Sequence, residues 1–378
     1  MIQEIYAQNP YLFLTLLLLV LATLVQLVYY WVIYGKVAFF KPKNEFVRSD
    51  QPVSVIVCAR DEYYNLQENL PLLLSQDYSA FEVVVVNHGS EDETNYLLRD
   101  LADIHKNLKI VNVSQDLNFF TGKKFPLSIG IKSASYDVLL FTDADCKPSS
   151  NQWIRRMAAN FTEETEIVLG YGAYNKSGSL INLLIRFDTT RIAMNYLGFA
   201  RAGMPYMGVG RNMAYRKSLF YKQNGFISHY RIQSGDDDLF INKAATATNT
   251  RIEIQEEAHT ISAPKSSLDQ WLRQKRRHLM TGGYYKPSHK FALGLFAVTQ
   301  VIFWASAIVL LAMWFQPYIV IGVVVVRLFS QLLITGKVMG KLSEKGFLFL
   351  VPLFELFLMI VSPFLAFANM LNKPVKWR

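Results

Sequence analysis

The residues in this sequence best suited to chemistry are carboxylates, and they stand in two groups. Asp143 and Asp145 lie two positions apart at the exit of the apolar run Leu139-Leu140-Phe141-Thr142. Hard divalent cations prefer carboxylate oxygens, and a cation with open positions can bridge the oxygens of a diphosphate. Such an ion neutralises the charge that builds on a departing nucleoside diphosphate. An Asp-x-Asp pair is common by itself; delivered by a buried strand of an α/β domain it says much more. The second group is Ser234-Gly235-Asp236-Asp237-Asp238-Leu239, which runs directly into Phe240 and Ile241. Adjacent carboxylates raise one another's pKa, which suits one of them to accept a proton near neutrality.

The elements that must hold these groups read as alternating strands and helices. Val53–Cys58, Phe81–Val86, Leu108–Val113 and Asp137–Thr142 are β-branched or apolar runs of strand length. Between them Asn65–Gln76, Thr94–His105 and Phe125–Ser133 carry apolar residues at helical spacing. Short connections between alternating elements imply right-handed crossovers and a parallel sheet covered on both faces. Ligands bind such sheets beyond the carboxyl ends of the strands. The polar clusters fall there: Ala59-Arg60-Asp61-Glu62, Asn87-His88-Gly89-Ser90 and Asp143-Ala144-Asp145. Gly208-Val209-Gly210-Arg211-Asn212 is a glycine-rich turn but lacks the strand and helix of a dinucleotide fingerprint.

Of the 378 residues, 51% are apolar, and the excess is concentrated at the two ends. Tyr11–Tyr34 carries no charge. At about 1.5 Å rise per residue it can span a hydrocarbon core of about 30 Å. It is too long for a signal peptide and reads as a retained anchor. Glu4 precedes it, whereas Lys36, Lys41, Lys43 and Arg48 follow, which places the N-terminus outside and the next domain in the cytosol. Three more apolar runs come late: Phe291–Phe315, Tyr318–Thr335 with Arg327 inside it, and Phe347–Asn369 bearing Pro352, Glu355 and Pro363. An intramembrane arginine must face protein, water or a head group, or snorkel to the interface. Lys337, Lys341 and Lys345 suit a cytosolic turn. Three late crossings would leave the basic tail Lys373, Lys376, Arg378 outside; a re-entrant or interfacial segment removes that conflict. The expected division is an anchor at 1–35, a cytosolic domain at 36–290 with an interfacial basic helix near 266–282, and membrane or re-entrant helices at 291–378. The net charge of +9 fits an anionic bilayer or a phosphate-bearing ligand, and equally the positive-inside bias; no nucleic-acid partner is expected. Cys58 and Cys146 are the only cysteines, which favours a reduced compartment.

The series PVSVIVCARDE, EVVVVNHGSEDET and GKKFPLSIGIKSASYDVLLFTDADCKP resembles the family 2 inverting glycosyltransferases, across the whole cytosolic stretch and in the same motif order. The resemblance implies a GT-A fold, the Rossmann-like, mostly parallel sheet of nucleotide-diphospho-sugar transferases, joined here to transmembrane helices. It implies that Ala59, Arg60, Glu62 and Asn87 hold base and ribose and that Lys123 or Lys124 contacts the donor. Asp143 and Asp145 would hold the sugar nucleotide and its Mg²⁺ or Mn²⁺. Asn87 and His88 stand where the family commonly has Asp, so the donor class is better marked than the base. Gly210, Arg211 and Asn212 would line the acceptor side. Matching Gly235 to the family glycine makes Asp237 the catalytic base, the preferred alignment; matching Asp238-Leu239 makes it Asp236. Gln274, Arg277 and His278 resemble the family's Gln-x-x-Arg-Trp motif, with Arg277 a planar donor to the diphosphate. His278 replaces the Trp that lines the acceptor's terminal sugar in chain-building synthases. A basic amphipathic helix on the leaflet explains the same stretch.

These features together imply a glycosyltransferase of a bacterial-type plasma membrane, moving a sugar from a nucleoside-diphosphate sugar, first among them a UDP-sugar, to a lipid-linked or glycan acceptor without processivity. The alternatives are a processive polysaccharide synthase and, in another class, a transporter or receptor with a non-catalytic cytosolic domain. An Asp-x-Asp phosphatase fits poorly, since Lys147 stands where that chemistry wants Thr. Leu180–Tyr196, with Arg186 and Arg191 interspersed, suits either a helix at the interface or a buried one.

Overall fold

The structure, a computed structural model, describes residues 2–42, 51–114 and 122–371. The flanking cations Lys43 and Arg48 and the basic tail Lys373, Lys376, Arg378 lie outside the described residues.

Two helices open the chain, α1 (Ile2–Gln8) and α2 (Pro10–Val28). Asn9 starts α2: its side chain accepts from the backbone N–H groups of Tyr11 and Leu12, and Pro10 takes the position where a missing N–H costs nothing. A π-helical turn, Tyr29–Tyr34, carries the helix into α3 (Gly35–Ala38).

The next segment is the expected α/β unit. Strands β1 (Val53–Ala59), β2 (Phe81–His88), β3 (Leu108–Val113) and β4 (Val138–Asp143) alternate with α4 (Tyr63–Leu74), α5 (Thr94–Ile104) and α6 (Lys124–Ser133). β1 pairs in parallel with both β2 and β4, and β2 with β3. Side chains alternate between faces, so β1 feeds two cores. Val53, Val55 and Val57 pack with Leu66 and Leu70 of α4 and Leu98 of α5. Ile56 and Cys58 pack with Leu127 and Ile131 of α6. Gly130 lets α6 sit close: a Cβ there would come within 2.6 Å of Val86. The strands run slightly past their expected ends, so that Asn87 and His88 close β2 and Asp143 is itself the last residue of β4.

Beyond β4 the sheet changes direction. β8 (Met213–Arg216) pairs antiparallel with β4 and with β6 (Ile167–Leu169), and β9 (Thr250–Ile252) pairs with β6, giving the seven-stranded order β3-β2-β1-β4-β8-β6-β9. A second sheet joins β5 (Cys146–Pro148), β10 (Thr260–Ser262) and β7 (Gly172–Tyr174). These short strands offer too few residues for a period to show in sequence.

The helices of the second half are α7 (Trp153–Ala158), α8 (Leu180–Arg201), α9 (Lys217–Lys222), α10 (Asp238–Ala244), α11 (Leu268–Leu279), α12 (Pro287–Ala312), α13 (Pro317–Lys341) and α14 (Val351–Leu371). Among the described residues, four stretches are long and apolar enough to cross a membrane: Pro10–Ala38, Pro287–Ala312, Pro317–Lys341 and Leu348–Leu371. α8 is mostly buried and joins the sheet to these helices: Phe199 meets Tyr29, and Phe187 meets Phe347 and Phe354. Arg327 faces protein rather than snorkelling. It is fully buried, forked onto Glu355 at 2.5 and 2.8 Å, and bonded to Gln26 and Gln331.

Candidate active site

The carboxyl edge of the parallel strands opens into a cavity of about 1990 Å³. β4 delivers Asp143 at its tip, and the turn into β5 delivers Asp145. Ligand atoms of Asp143, Asp145 and Cys146 lie within 4.8 Å of one another. Lys123, at the start of α6, ion-pairs with Asp143. Burial works to raise the Asp143 carboxyl, but the Lys123 charge outweighs it and holds the group below its ordinary value. Asp145 lacks such a partner, and burial together with the Asp143 charge pushes its carboxyl up. The Cys146 thiol is buried, is pushed well above its usual range by that burial, and donates to Asp145. Asp143 and Asp145 offer carboxylate oxygens as ligands here. Carboxylate oxygens fit Mg²⁺ or Mn²⁺.

The acidic run sits across the cavity, in the loop that starts α10. Asp237 caps the helix: one oxygen accepts from the N–H of Asp238 at 2.7 Å, the other from Gly210 at 2.8 Å. Burial and the neighbouring Asp236 and Asp238 push its carboxyl up to about 8. Asp238 is buried and accepts from the Tyr285 hydroxyl at 2.7 Å. Asp236 lines the cavity and accepts no hydrogen bond from the described residues. Lys124 holds the preceding loop by donating to the carbonyls of Ile232 and Ser234.

The remaining walls carry cations. Arg60 and Glu62 reach the cavity from the β1 end, and Gln274, Arg277 and His278 from α11. Gln274 donates to the Tyr174 hydroxyl at 3.4 Å. Arg211 lies over the Tyr174 ring, 4.4 Å from its centroid, and donates to the Gly172 carbonyl. Its Nε is buried with no partner among the described residues, and its charge acts on Asp145, working to lower that carboxyl. Gly210 also lines the cavity.

Four expected residues do not line it. Ala59 is buried in β1. Asn87 donates to Asn112 and accepts from the Ser90 N–H, so its amide braces the β2 turn while His88 reaches the cavity. Lys124 is buried on the carbonyls just named. Asn212 is buried between Trp153 and the carbonyls of Tyr171 and Ala258. Lys124 and Asn212 are thus spent on neighbouring carbonyls, and Asn87 on the Asn112 side chain and the Ser90 N–H, as buried polar groups require. Sequence reasoning missed Tyr285 and the buried Asp188–Lys275 pair, bonded at 2.6 and 2.8 Å. The signal for the pair was a lone carboxylate in the apolar stretch Leu180–Tyr196.

Comparison with known proteins fits this geometry. The model of glycosyl transferase family 2 matches residues 54–223, and that of glycosyl transferase family group 2 matches residues 143–368. The chain is 34% identical over 106 residues to the glycosyltransferase AglE of Haloferax volcanii, covering 28% of this chain and 33% of that protein. It is 32% identical over 125 residues to a poly-beta-1,6-N-acetyl-D-glucosamine synthase of Staphylococcus epidermidis, covering 31% of this chain and 29% of the other. The chain thus spans about a third of the length of these curated relatives. Among solved structures it resembles the mannosyltransferase PcManGT of Pyrobaculum calidifontis, solved with GDP-Man and Mn²⁺, with a TM-score of 0.57 and 18% identity over 90% of this chain and 97% of that one. That likeness and the sheet order show the GT-A architecture expected from the sequence.

Proposed function

We propose, from the premise that this chain belongs to glycosyl transferase family 2, that it moves a sugar from a nucleoside-diphosphate sugar to a lipid-linked or membrane-proximal acceptor with inversion and without processivity. The observation that carries the proposal is that Asp143, Asp145 and Asp236, from separate elements, line one cavity with Arg211 and Arg277.

The acceptor hydroxyl attacks the anomeric carbon, the bond from that carbon to the diphosphate oxygen breaks, and the hydroxyl proton passes to a carboxylate. Asp236 is our choice for that base. Asp237 is committed as a helix cap and Asp238 to Tyr285, whereas Asp236 keeps its oxygens open to the cavity. The diphosphate leaves toward Arg277 and Arg211, whose planar forks suit phosphate oxygens. Mg²⁺ or Mn²⁺ held by Asp143 and Asp145 would supply neutralisation of the leaving charge. A UDP-sugar is the first donor to test, and the GDP-Man bound in PcManGT makes GDP-mannose the second. His278 in place of an aromatic platform supports single transfers; the synthase among the relatives supports a processive second reading, decided by product length.

We read the domain as cytosolic. α14 packs on that domain's helices at both of its halves: Trp271 of α11 stacks on Phe357, and Arg276 exchanges hydrogen bonds with Asn369. We read α14 as lying against the inner leaflet with α2, α12 and α13 crossing. The C-terminal end then stays on the catalytic side, as the positive-inside rule asks of a basic tail.

A panel of nucleotide sugars, read by release of nucleoside diphosphate from the full chain in detergent, tests the activity. Asp236→Asn should abolish transfer while donor binding survives. Retained transfer there, with loss in Asp237→Asn, would move the base to Asp237.

A further inference from the structure

The cavity does not end at the acidic run. It continues between α8 and α12 as far as Gln300, well inside one of the helices apolar and long enough to cross a membrane. α8 turns Asp188, Arg191, Ile192 and Asn195 toward it, at helical spacing. α12 turns Lys290, Leu293, Phe296 and Ala297 toward it in the same way. The result is a trough with apolar walls and cations at its catalytic end.

The charges in this part do not balance. Asp188 offers one negative charge to two cations. Lys275 takes both of its oxygens, at 2.6 and 2.8 Å. Arg191 makes a single bond to Asp188 at 3.1 Å, and its side chain remains 36% exposed, into the cavity. The Arg191 Nε is buried with no partner among the described residues. Lys290 adds a third cation, which donates to the Gly283 carbonyl and makes no ion pair among the described residues. A guanidinium that must share one carboxylate with Lys275 is only partly neutralised, and a planar fork with open donors is best satisfied by phosphate or carboxylate oxygens. The walls of Leu293, Phe296 and Ala297 are suited to an alkyl or isoprenyl chain. Neither feature is needed by a nucleotide sugar held at Asp143 and Asp145.

We infer that this trough is a binding site for a phosphate-bearing amphiphile, with Arg191 holding the phosphate and the α12 face holding the chain. The inference rests on the lipid-acceptor reading of the same cavity and narrows it from any membrane-proximal acceptor to an anionic lipid. Two sources share this chemistry, a glycerophospholipid and an isoprenyl phosphate.

The test is binding, by native mass spectrometry of the detergent-solubilised full chain without donor. The probes are short-chain phosphatidic acid and farnesyl phosphate, against the neutral short-chain diacylglycerol and farnesol. Each phosphate probe should bind roughly ten-fold or more tighter than its neutral counterpart, the worth of a charge-assisted hydrogen bond. Preference for phosphatidic acid over farnesyl phosphate, or the reverse, identifies the source. In Arg191→Gln the phosphate preference should fall to about two-fold or less, and Arg191→Lys should restore part of it. Ala297→Trp, which fills the trough without touching a charge, should weaken all four probes, and covers the case in which Arg191→Gln does not fold. Equal binding of phosphate and neutral probes to the wild type overturns the inference, as does unchanged preference in Arg191→Gln. Nucleoside-diphosphate binding with Mn²⁺ is measured on the same wild-type sample. If it is present while the phosphate probes fail, the glycosyltransferase reading stands and only this site falls; if it is absent, the donor site itself is at fault.

Discussion

Asp237 shows how a single residue can be fixed by its surroundings more than by its type. Its carboxyl is raised from 3.8 to about 8 by burial and by the two flanking aspartates. The folded protein therefore holds a proton that the unfolded chain releases in this window, and stability falls as pH rises from about 4 to about 8. Asp237→Asn should flatten that fall. The check is the melting temperature of metal-free wild type and variant between pH 5 and 9; parallel curves would refute the argument. The donor carboxylates carry a different prediction. Asp145→Asn should lower metal-dependent release of nucleoside diphosphate by roughly 10²-fold or more, as for loss of one strong electrostatic contact to a transition state. A chelator should abolish the wild-type activity, and Mn²⁺ or Mg²⁺ should restore it. The same residues also explain the limits of motif matching. Asp-x-Asp after an apolar strand was legible because a strand that ends in two carboxylates has little structural use for them. Asn87 and Asn212 matched just as well by position, yet Asn87 is held by the Asn112 side chain and the Ser90 N–H, and Asn212 by the Tyr171 carbonyl; a linear string does not show such bracing.

At the scale of elements, α8 is the joint between the catalytic sheet and the apolar helices. Arg186 on α8 donates twice to Glu344, at 2.5 and 2.8 Å, and once to the Lys345 carbonyl, while Tyr171 donates to the same Glu344. Arg186 and Glu344 are almost wholly buried as side chains, at 4% and 1% exposure. Removing one partner leaves a buried charge, which costs about 3–5 kcal/mol. Arg186→Met should therefore lower stability by about that amount, measured by denaturant unfolding in mild detergent, whereas Arg186→Met with Glu344→Leu should recover most of it. The α8 helix was foreseen only as an apolar stretch with two places to go. Its burial was decided by partners far away in sequence, Phe347 and Phe354 on one side and Tyr29 on another.

For the molecule as a whole, the question is how the catalytic sheet joins the helices apolar enough to cross a membrane. Arg327 and Glu355 lock α13 to α14 and, through Gln26 and Gln300, to α2 and α12. Either charge alone should be costly, so Arg327→Leu and Glu355→Leu should each reduce the yield of monodisperse protein, and the double variant should recover it. Sidedness can be read directly. Cysteines placed at Gln8, Trp314 and Ser343 of a cysteine-free variant should label from outside, outside and the cytosol, respectively, and one at Met370 should label from the cytosol. Labelling of Met370 from outside would mean that α14 crosses the membrane.

Taken by itself, the sequence determined the alternation of strands and helices over 53–143, the four apolar stretches, and the two acidic groups with the chemistry they suit. Those are local properties: period, length and residue type persist whatever else the chain does. Only the tertiary structure decided which acids face a common space, since that depends on the end of β4 and the loop before α10 reaching one cavity. It alone decided that Arg327 is paired rather than snorkelled, that Asp188 is shared between two cations, and that the cavity runs on toward α12, because burial and ion pairing depend on groups brought together from distant parts of the chain.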